Sequence, residues 1–146
     1  MKNLDKICVV CYANYCRSPV AEAILKNQYN DKYQISSAGI NPYPEAKMDE
    51  RSKKFLKDFG YSNTTHIPRK ISKEIMSSSI IIFAMDAQVL QMLNRIYPKF
   101  RSKIKLFSFK SPKINLRDPY KLCESDYMTV MENIEKISKT IFAQTN

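Results

Sequence analysis

Short apolar runs alternate with amphipathic segments along the chain of 146 residues, and this alternation restricts the possible folds strongly. The runs at 6–11 and 80–85 are apolar and partly β-branched, which is typical of buried strands. The segments 33–38 and 103–107 are predicted as two further strands. Strands that alternate with helices predict a single α/β domain over residues 1–146, built on a parallel sheet.

Helical patterns begin at Ser18 and cover 48–59, the segment from Asp86 to about residue 97, and 125–143. We expect Ser18 to be an N-cap with Pro19 at the first helical position, and Asp86 to cap a later helix. Gly60 is expected to end the second helix. Pro98 is expected to stop the third helix.

Right-handed crossovers place the carboxyl ends of all parallel strands at one edge of the sheet. The loops after Val10, Ala38, Met85 and Phe107 are therefore expected to open on the same side. Ligands bind at that edge in open sheets of this class.

The chain carries 24 basic and 14 acidic residues, a formal net charge of +10. This charge fits either a nucleic-acid binder or an enzyme for anionic substrates. The basic residues are spread without a block of five or six, so a nucleic-acid partner is not expected. The sequence has no apolar run of membrane-spanning length and no signal-peptide core, which predicts a cytoplasmic protein.

The four cysteines are Cys8, Cys11, Cys16 and Cys123, and the one histidine is His66. Their spacing matches no common zinc pattern, so we expect neither a metal nor a cofactor. A disulfide framework is not expected either, because a chain of this length folds without one. The cysteines therefore direct attention to thiolate chemistry.

The segment 11–19, CYANYCRSP, lies between a predicted strand and a predicted helix start. Backbone N–H groups of such a loop can point inward and bind an anion, and the helix dipole adds positive charge. A thiolate at Cys11 would be favoured there. Arg17 can bind two phosphate oxygens bidentately, and Ser18 can donate a hydrogen bond to the thiolate. The combination suits phosphoryl transfer to sulfur, although a buried inert Cys11 and an exposed Arg17 are the alternative.

A tyrosyl oxygen leaves poorly unless it is protonated, and the 11–19 loop offers no proton donor. Asp118 follows the fourth predicted strand in a loop stiffened by Pro119, and Tyr120 could form a wall for an aromatic ring. The sequence therefore makes Asp118 the candidate acid, with a simple Asp-Pro-Tyr turn as the alternative.

The segment 11–22, CYANYCRSPVAE, resembles the signature loop of the low-molecular-weight protein tyrosine phosphatases. The motifs Ser37-Ala38-Gly39, His66 with Arg69, Met85-Asp86 and Asp118-Pro119-Tyr120 resemble further segments of this family. The chain looks closest to the bacterial branch that acts on tyrosine kinases of polysaccharide export.

The resemblance implies a four-stranded parallel sheet of order 2-1-3-4 flanked by helices on both faces. It also implies that Asp118 acts as acid in the first step and as base toward water in the second. Asn14 would hold the loop by contacts with Ser37 and His66.

Further residues of the site are expected from the same loop. Phosphate would be bound by the segment that comprises Tyr12, Ala13, Asn14, Tyr15, Cys16 and Ser18. Tyr12, Tyr15, Tyr43 and Tyr120 could line the mouth, or Tyr12 or Tyr15 could point into the core. An electrostatic role is also open to Asp86. Cys16 could trap oxidised Cys11 as a disulfide.

The sequence departs from the family pattern at Ala13, where glycine is usual, and at Ile40 and Leu122. Alanine would be strained there only if its φ were positive. Two other functions stay open. One is arsenate reduction, which needs further resolving cysteines for a disulfide relay. The other is non-catalytic binding of phosphoanions or nucleic acid.

Overall fold

Four parallel strands form one sheet in the computed structural model of the protein, which describes residues 3–43, 45, 47–61 and 65–143. The strands are β1 (Asp5–Cys11), β2 (Tyr33–Gly39), β3 (Ser79–Ala84) and β4 (Ile104–Leu106). Their order is β2-β1-β3-β4, and every neighbouring pair is parallel. The predicted fold class and strand order are therefore confirmed.

Helices cover both faces of the sheet. They are α1 (Ser18–Tyr29), α2 (Glu50–Asp58), α3 (Lys73–Ser78), α4 (Ala87–Ile96) and α5 (Glu124–Thr140). The helices α1, α2 and α5 pack on one face, while α3 and α4 pack on the other. None of the helices within the described ranges is both long and apolar enough to cross a membrane.

The central strand β1 is buried on both sides. Ile7 and Val9 belong to the core beneath α1 and α5, whereas Cys8 and Val10 belong to the core beneath α3 and α4. All four side chains are fully buried. A slip of one residue would exchange the two faces, so packing fixes the register of β1 and with it the position of Cys11.

The predicted N-cap at Ser18 is wrong. Arg17 is the cap residue without a side-chain cap bond, and Ser18 is the first residue of α1. The Ser18 hydroxyl instead lies 2.9 Å from Cys11 Sγ and accepts from Asn14 Nδ2 at 2.8 Å. The hydroxyl therefore faces the loop rather than the free amides of the helix. The cap predicted at Asp86 is confirmed, because Asp86 Oδ1 accepts from the Val89 amide at 2.8 Å.

Further differences concern short segments. The helix α3 was not predicted, because only Met76 of its six residues is buried and its pattern is weak. The helix α2 starts later than expected, since Asp49 is its N-cap and accepts from the Arg51 amide. The helix α4 ends at Ile96, before Pro98, as expected, and a 3-10 turn that was not predicted follows over Pro98–Lys103. Gly60 follows α2 with a φ of 80°, as expected of a residue that ends a helix.

The carboxyl ends of β1 and β2 lie side by side, with Cys11 opposite Gly39. A Cβ atom on Gly39 would lie 2.8 Å from the Asn14 amide nitrogen and 2.9 Å from the Ala13 carbonyl carbon. Both are backbone atoms that cannot turn away. Glycine at this position therefore lets the loop after β1 rest directly on β2.

We expect Gly39→Ala to push this loop away from β2 and to lower the free energy of unfolding by about 1–3 kcal/mol, as overpacking usually does. Urea unfolding measures the change. Gln34→Ala, on an exposed position of the same strand, is the matched control and should change stability by less than about 0.5 kcal/mol. A Gly39→Ala protein as stable as the parent would contradict the close approach.

Candidate active site

The loop between β1 and α1 surrounds the sulfur of Cys11. The Asn14 amide donates to Cys11 Sγ at 3.2 Å, and Ser18 Oγ lies 2.9 Å from the same atom. Cys11 is only 3% exposed, yet it lines a cleft at the carboxyl edge of the sheet. The sulfur thus has one backbone N–H donor and one hydroxyl group within hydrogen-bond distance.

Asn14 holds the loop in shape. Its φ is 54°, in the left-handed region, and its side chain is fully buried. Nδ2 donates to Ser18 Oγ at 2.8 Å and to Ser37 Oγ at 3.0 Å, while Oδ1 accepts from the Arg69 amide at 3.0 Å. The Asn14 carbonyl oxygen lies 2.9 Å from His66 Nε2. One residue thus connects the loop to α1, to β2 and to the segment that carries His66 and Arg69.

Ser37 is itself held from two further directions. Its hydroxyl donates to Glu22 Oε1 on α1, and its carbonyl oxygen accepts from Arg69 Nε at 2.8 Å. The sequence placed Glu22 and Arg69 in matching motifs but indicated no contact for either. These bonds extend the network around Asn14 without reaching the cleft.

Arg17 lies at the inner wall of the same cleft and is 2% exposed. Its Nη1 donates to Asp86 Oδ2 and to the Leu116 carbonyl oxygen, both at 2.7 Å. Within the described residues, Nε and Nη2 have no hydrogen-bond partner. One side of the guanidinium is therefore anchored, and its remaining donors are available to an anion.

Asp118 lies in this cleft together with Cys11 and Arg17, although it comes from the loop after β4. Its Oδ1 accepts from the Tyr120 amide at 3.1 Å, which makes a local turn around the buried Pro119. The side chain is exposed to solvent. The structure thus brings a carboxyl group to the pocket of the thiol.

Tyrosine side chains surround the mouth of the cleft. The ring of Tyr15 contacts the rings of Tyr43 and Tyr120 edge-on, at centroid distances of 6.4 and 6.2 Å. Tyr12 is 39% exposed and also lines the cleft. Tyr12 does not point into the core, whereas Tyr15 is partly buried, packs against the core and also lines the cleft.

Cys16 is the second thiol of the loop. Its Sγ lies 3.9 Å from Asp49 Oδ2, and burial raises its pKa to about 12. Cys16 is therefore a neutral thiol near pH 7. Cys11 and Cys16 are both free in this structure. No group of three or more His, Cys, Asp or Glu residues that could hold a metal occurs in the described part of the chain.

The family model described as low molecular weight phosphotyrosine protein phosphatase matches residues 6–146. The chain belongs to this family. The predicted resemblance is confirmed, and with it membership in a family of protein-tyrosine-phosphatase enzymes.

Similar proteins cover nearly the whole phosphatase chain. The probable low molecular weight protein-tyrosine-phosphatase AmsI of Erwinia amylovora is 27% identical over 93% of this chain and 94% of its own. The crystal structure of the tyrosine phosphatase Wzb from Escherichia coli K30 has a TM-score of 0.86 at 26% identity, covering 94% and 95%. The arginine phosphatase YwlE from Geobacillus stearothermophilus, at 24% identity, shares the fold with a TM-score of 0.85 over 92% and 88%.

Arg51 is a residue of this phosphatase that the sequence analysis missed. It forms an ion pair with Asp49 at 2.9 Å and donates to the carbonyl oxygens of Tyr120 at 3.0 Å and Leu122 at 3.3 Å. Its guanidinium also lies 4.0 Å from the centre of the Tyr127 ring. Arg51 therefore ties the loop that carries Asp118 to α2 and α5. The sequence showed only a helical pattern over 48–59 there.

The pKa of Asp49 reflects its contacts with Arg51. Burial alone would raise the pKa of Asp49, but hydrogen bonds from the side chain and the amide of Arg51 outweigh it and hold the pKa below its usual range. A depressed carboxyl pKa stabilises the folded chain above the unfolded pKa, and this contribution is lost as the pH falls through the folded value.

Arg51→Lys keeps a cation for Asp49 but removes the planar fork that reaches two backbone carbonyls. We expect faster amide hydrogen exchange in residues 118–123 and unchanged exchange in β1. Lys54→Arg, an exposed change on the same helix, should leave both segments unchanged. Equal protection of 118–123 in the parent and the Arg51→Lys variant would show that Arg51 does not hold the loop.

Ala13 stands where the family usually has glycine, and the structure removes the expected cause of strain. Within the described residues, Asn14 is the one non-glycine residue with a positive φ. Ala13 therefore has ordinary backbone geometry, and the left-handed position of the loop is filled by an asparagine, which tolerates it.

Ala13→Gly should therefore give no gain in stability. We expect a loss of about 0.4–1 kcal/mol, because glycine enlarges the conformational entropy of the unfolded chain. Thermal unfolding followed by circular dichroism measures the difference. An increase in stability would show that alanine is strained at this position.

Proposed function

We propose that the chain hydrolyses phosphotyrosine through a cysteinyl-phosphate intermediate, with Cys11 as nucleophile, Arg17 as phosphate clamp and Asp118 as general acid and base. The observation that carries the proposal is the convergence of these three side chains on one cleft. The sulfur faces two hydrogen-bonding groups there, which suits a reactive thiolate.

In the first step the Cys11 thiolate attacks phosphorus. An S–P bond forms, the bond from phosphorus to the tyrosyl oxygen breaks, and this oxygen leaves with the electron pair and takes the proton of Asp118. The amides of residues 12, 13 and 15–17 donate to no other described residue and would bind the phosphoryl oxygens. Arg17 would add a bidentate contact.

In the second step Asp118, now a carboxylate, takes a proton from water. The hydroxide attacks phosphorus, the S–P bond breaks, and phosphate leaves while the sulfur recovers its electron pair. Ser18, at 2.9 Å from Cys11 Sγ, would stabilise the thiolate as leaving group. Asn14, Ser37 and His66 keep the loop in position without touching the substrate.

The rim supports an aromatic substrate. Tyr15, Tyr43 and Tyr120 form edge-on contacts around the entrance and offer apolar surface to a phosphorylated ring. Phosphoserine carries no ring to contact these tyrosines.

The natural substrates that we propose are phosphotyrosine proteins of the bacterial cytoplasm, among them a tyrosine kinase of polysaccharide export. Resemblance to the bacterial branch supports this proposal, as do the relatives AmsI and Wzb, which are named protein-tyrosine-phosphatases. That residues 1–146 form one domain stays a prediction.

Cys16 remains our candidate partner for oxidised Cys11. Peroxide would convert the thiolate to a sulfenic acid, and the Cys16 thiol would displace water from it to form a disulfide. Both thiols line the same cleft. An arsenate reductase would need a longer relay, but Cys8 is buried in the core beneath α3 and α4, and Cys123 is exposed at the start of α5.

Two substrates with different leaving groups distinguish the role of Cys11 from that of Asp118. We expect Cys11→Ser to abolish hydrolysis of a phosphotyrosine peptide, and Asp118→Asn to lower its kcat by about 10²–10⁴. The leaving group of 2,4-dinitrophenyl phosphate needs no proton. With this substrate, Asp118→Asn should lower kcat far less. Asp31→Asn, an exposed change at the opposite edge of the sheet, is the control.

Full activity of the Cys11→Ser variant would refute the nucleophile. An equal loss with both leaving groups would refute the acid role of Asp118. Phosphoserine and phosphoarginine peptides complete the comparison, because faster turnover of either would contradict a phosphotyrosine substrate. Thiol-dependent arsenate turnover would favour the reductase.

A further inference from the structure

Most of the net positive charge of the chain lies in one segment, because acidic residues are absent from it. Residues 87–117 contain eight basic and no acidic residues, whereas the rest of the chain contains 16 basic and 14 acidic residues. We call residues 87–117 the basic segment; its cations are Arg95, Lys99, Arg101, Lys103, Lys105, Lys110, Lys113 and Arg117.

Nearly all of this positive charge has no carboxylate partner among the described residues. Among the described residues, the basic segment makes one ion pair, between Arg117 and Asp126 at 3.7 Å, and both of these side chains are about half exposed. The Lys103 and Lys110 ammonium groups donate to backbone carbonyls instead. The segment therefore presents a positive field that attracts anions.

A groove connects the basic segment with the cleft of Cys11. A space of about 230 Å³ shares Arg17 and Asp118 with the cleft and is also lined by Asp86 and Gln88. Next to it, a groove of about 640 Å³ between the start of α4 and residues 108–118 shares Asp86, Gln88 and Asp118 with this space. We call this larger space the side groove; its polar lining includes Gln88, Ser108, Lys113, Asn115 and Arg117.

The charges inside the side groove favour an anionic occupant. The carboxylate of Asp86 is paired with Arg17 at 2.7 Å, and Asp118, which also lines the groove, is the proton donor of the proposed first step. Lys113 is exposed and has no hydrogen-bond or ion-pair partner among the described residues. The lysine is thus a free cation at the wall of a groove that starts at the candidate acid.

We propose that the side groove binds the polypeptide next to the phosphotyrosine, and that Lys113 selects substrates with an Asp or Glu side chain there. This inference rests on the proposed function. The side groove shares Asp118 with the phosphate cleft and lies beside it. The polypeptide that flanks a bound phosphotyrosine would therefore reach Lys113, which favours a peptide over a membrane or a nucleic acid as the occupant.

Two phosphotyrosine peptides test the proposal, one with glutamates on both sides of the phosphotyrosine and one with glutamines. We expect the parent protein to show kcat/KM about two- to fivefold higher for the glutamate peptide, the range given by one partly exposed ion pair. Lys113→Glu should abolish or reverse this preference. Lys32→Glu makes the same charge change in the turn before β2, at the opposite edge of the sheet, and should keep it.

p-Nitrophenyl phosphate has no flanking residues. Its hydrolysis therefore tests the proposed function without testing the side groove. Its hydrolysis should be equal in the parent and in the Lys113→Glu and Lys32→Glu variants. If the parent does not hydrolyse it, the proposed function fails. The side-groove proposal is overturned if the parent hydrolyses p-nitrophenyl phosphate but the Lys113→Glu variant keeps the preference for the glutamate peptide. The same conclusion follows if Lys113→Glu reduces this preference no more than Lys32→Glu does. Single-stranded DNA binding that Lys113→Glu weakens, with peptide preference unchanged, would assign the groove to nucleic acid instead.

Discussion

The buried amide of Asn14 is the interaction on which the candidate site depends. An unpaired amide in a dry interior costs about 1–3 kcal/mol, so its partners must be in place whenever the loop is formed. These partners lie on α1, on β2 and in the segment before α3, three parts of the chain that are far apart in the sequence. Because the same residue sends its backbone N–H to Cys11 Sγ, the environment of the sulfur is determined by long-range packing.

The sheet supplies the rigid base of this arrangement. Both faces of β1 are buried, so its carboxyl end cannot move without disturbing two cores. Gly39 then allows the loop to lie against the neighbouring strand at backbone contact distance. On the other side, Arg51 connects the segment after Asp118 to two helices. The candidate nucleophile and the candidate acid are thus held by different elements that meet at one edge.

Much of the fold could be predicted from the sequence, because β1 and β3 are short apolar runs and two helices carry a recognisable cap or end, at Asp86 and Gly60. The order of the strands came from the family resemblance and agrees with the structure. The helix α3 was missed because six residues with one buried side chain give no periodic signal. Ser18 was misassigned because a serine before a proline looks the same whether its hydroxyl caps a helix or faces a thiol.

For the site, the sequence indicated which residues to examine but not their contacts. Cys11, Arg17 and Asp118 lie together as the sheet-edge argument required. The anchoring of Arg17, the role of Arg51 and the groove beside Asp118 depend on side-chain positions across distant parts of the chain, which no local pattern encodes. The ordinary geometry of Ala13 likewise followed only from the backbone.

The hydrogen bonds that anchor Arg17 link anion binding in the cleft to the conformation of the segment before Asp118. Its Nη1 bonds to the carbonyl of Leu116, two residues before Asp118, while the rest of the guanidinium faces the cleft. Any anion that shifts this guanidinium also shifts the segment from which the carboxyl group extends. By reciprocity of coupled equilibria, the conformation of that segment must alter anion affinity by the same factor. Anion binding at Arg17 and the conformation of this segment are therefore coupled equilibria.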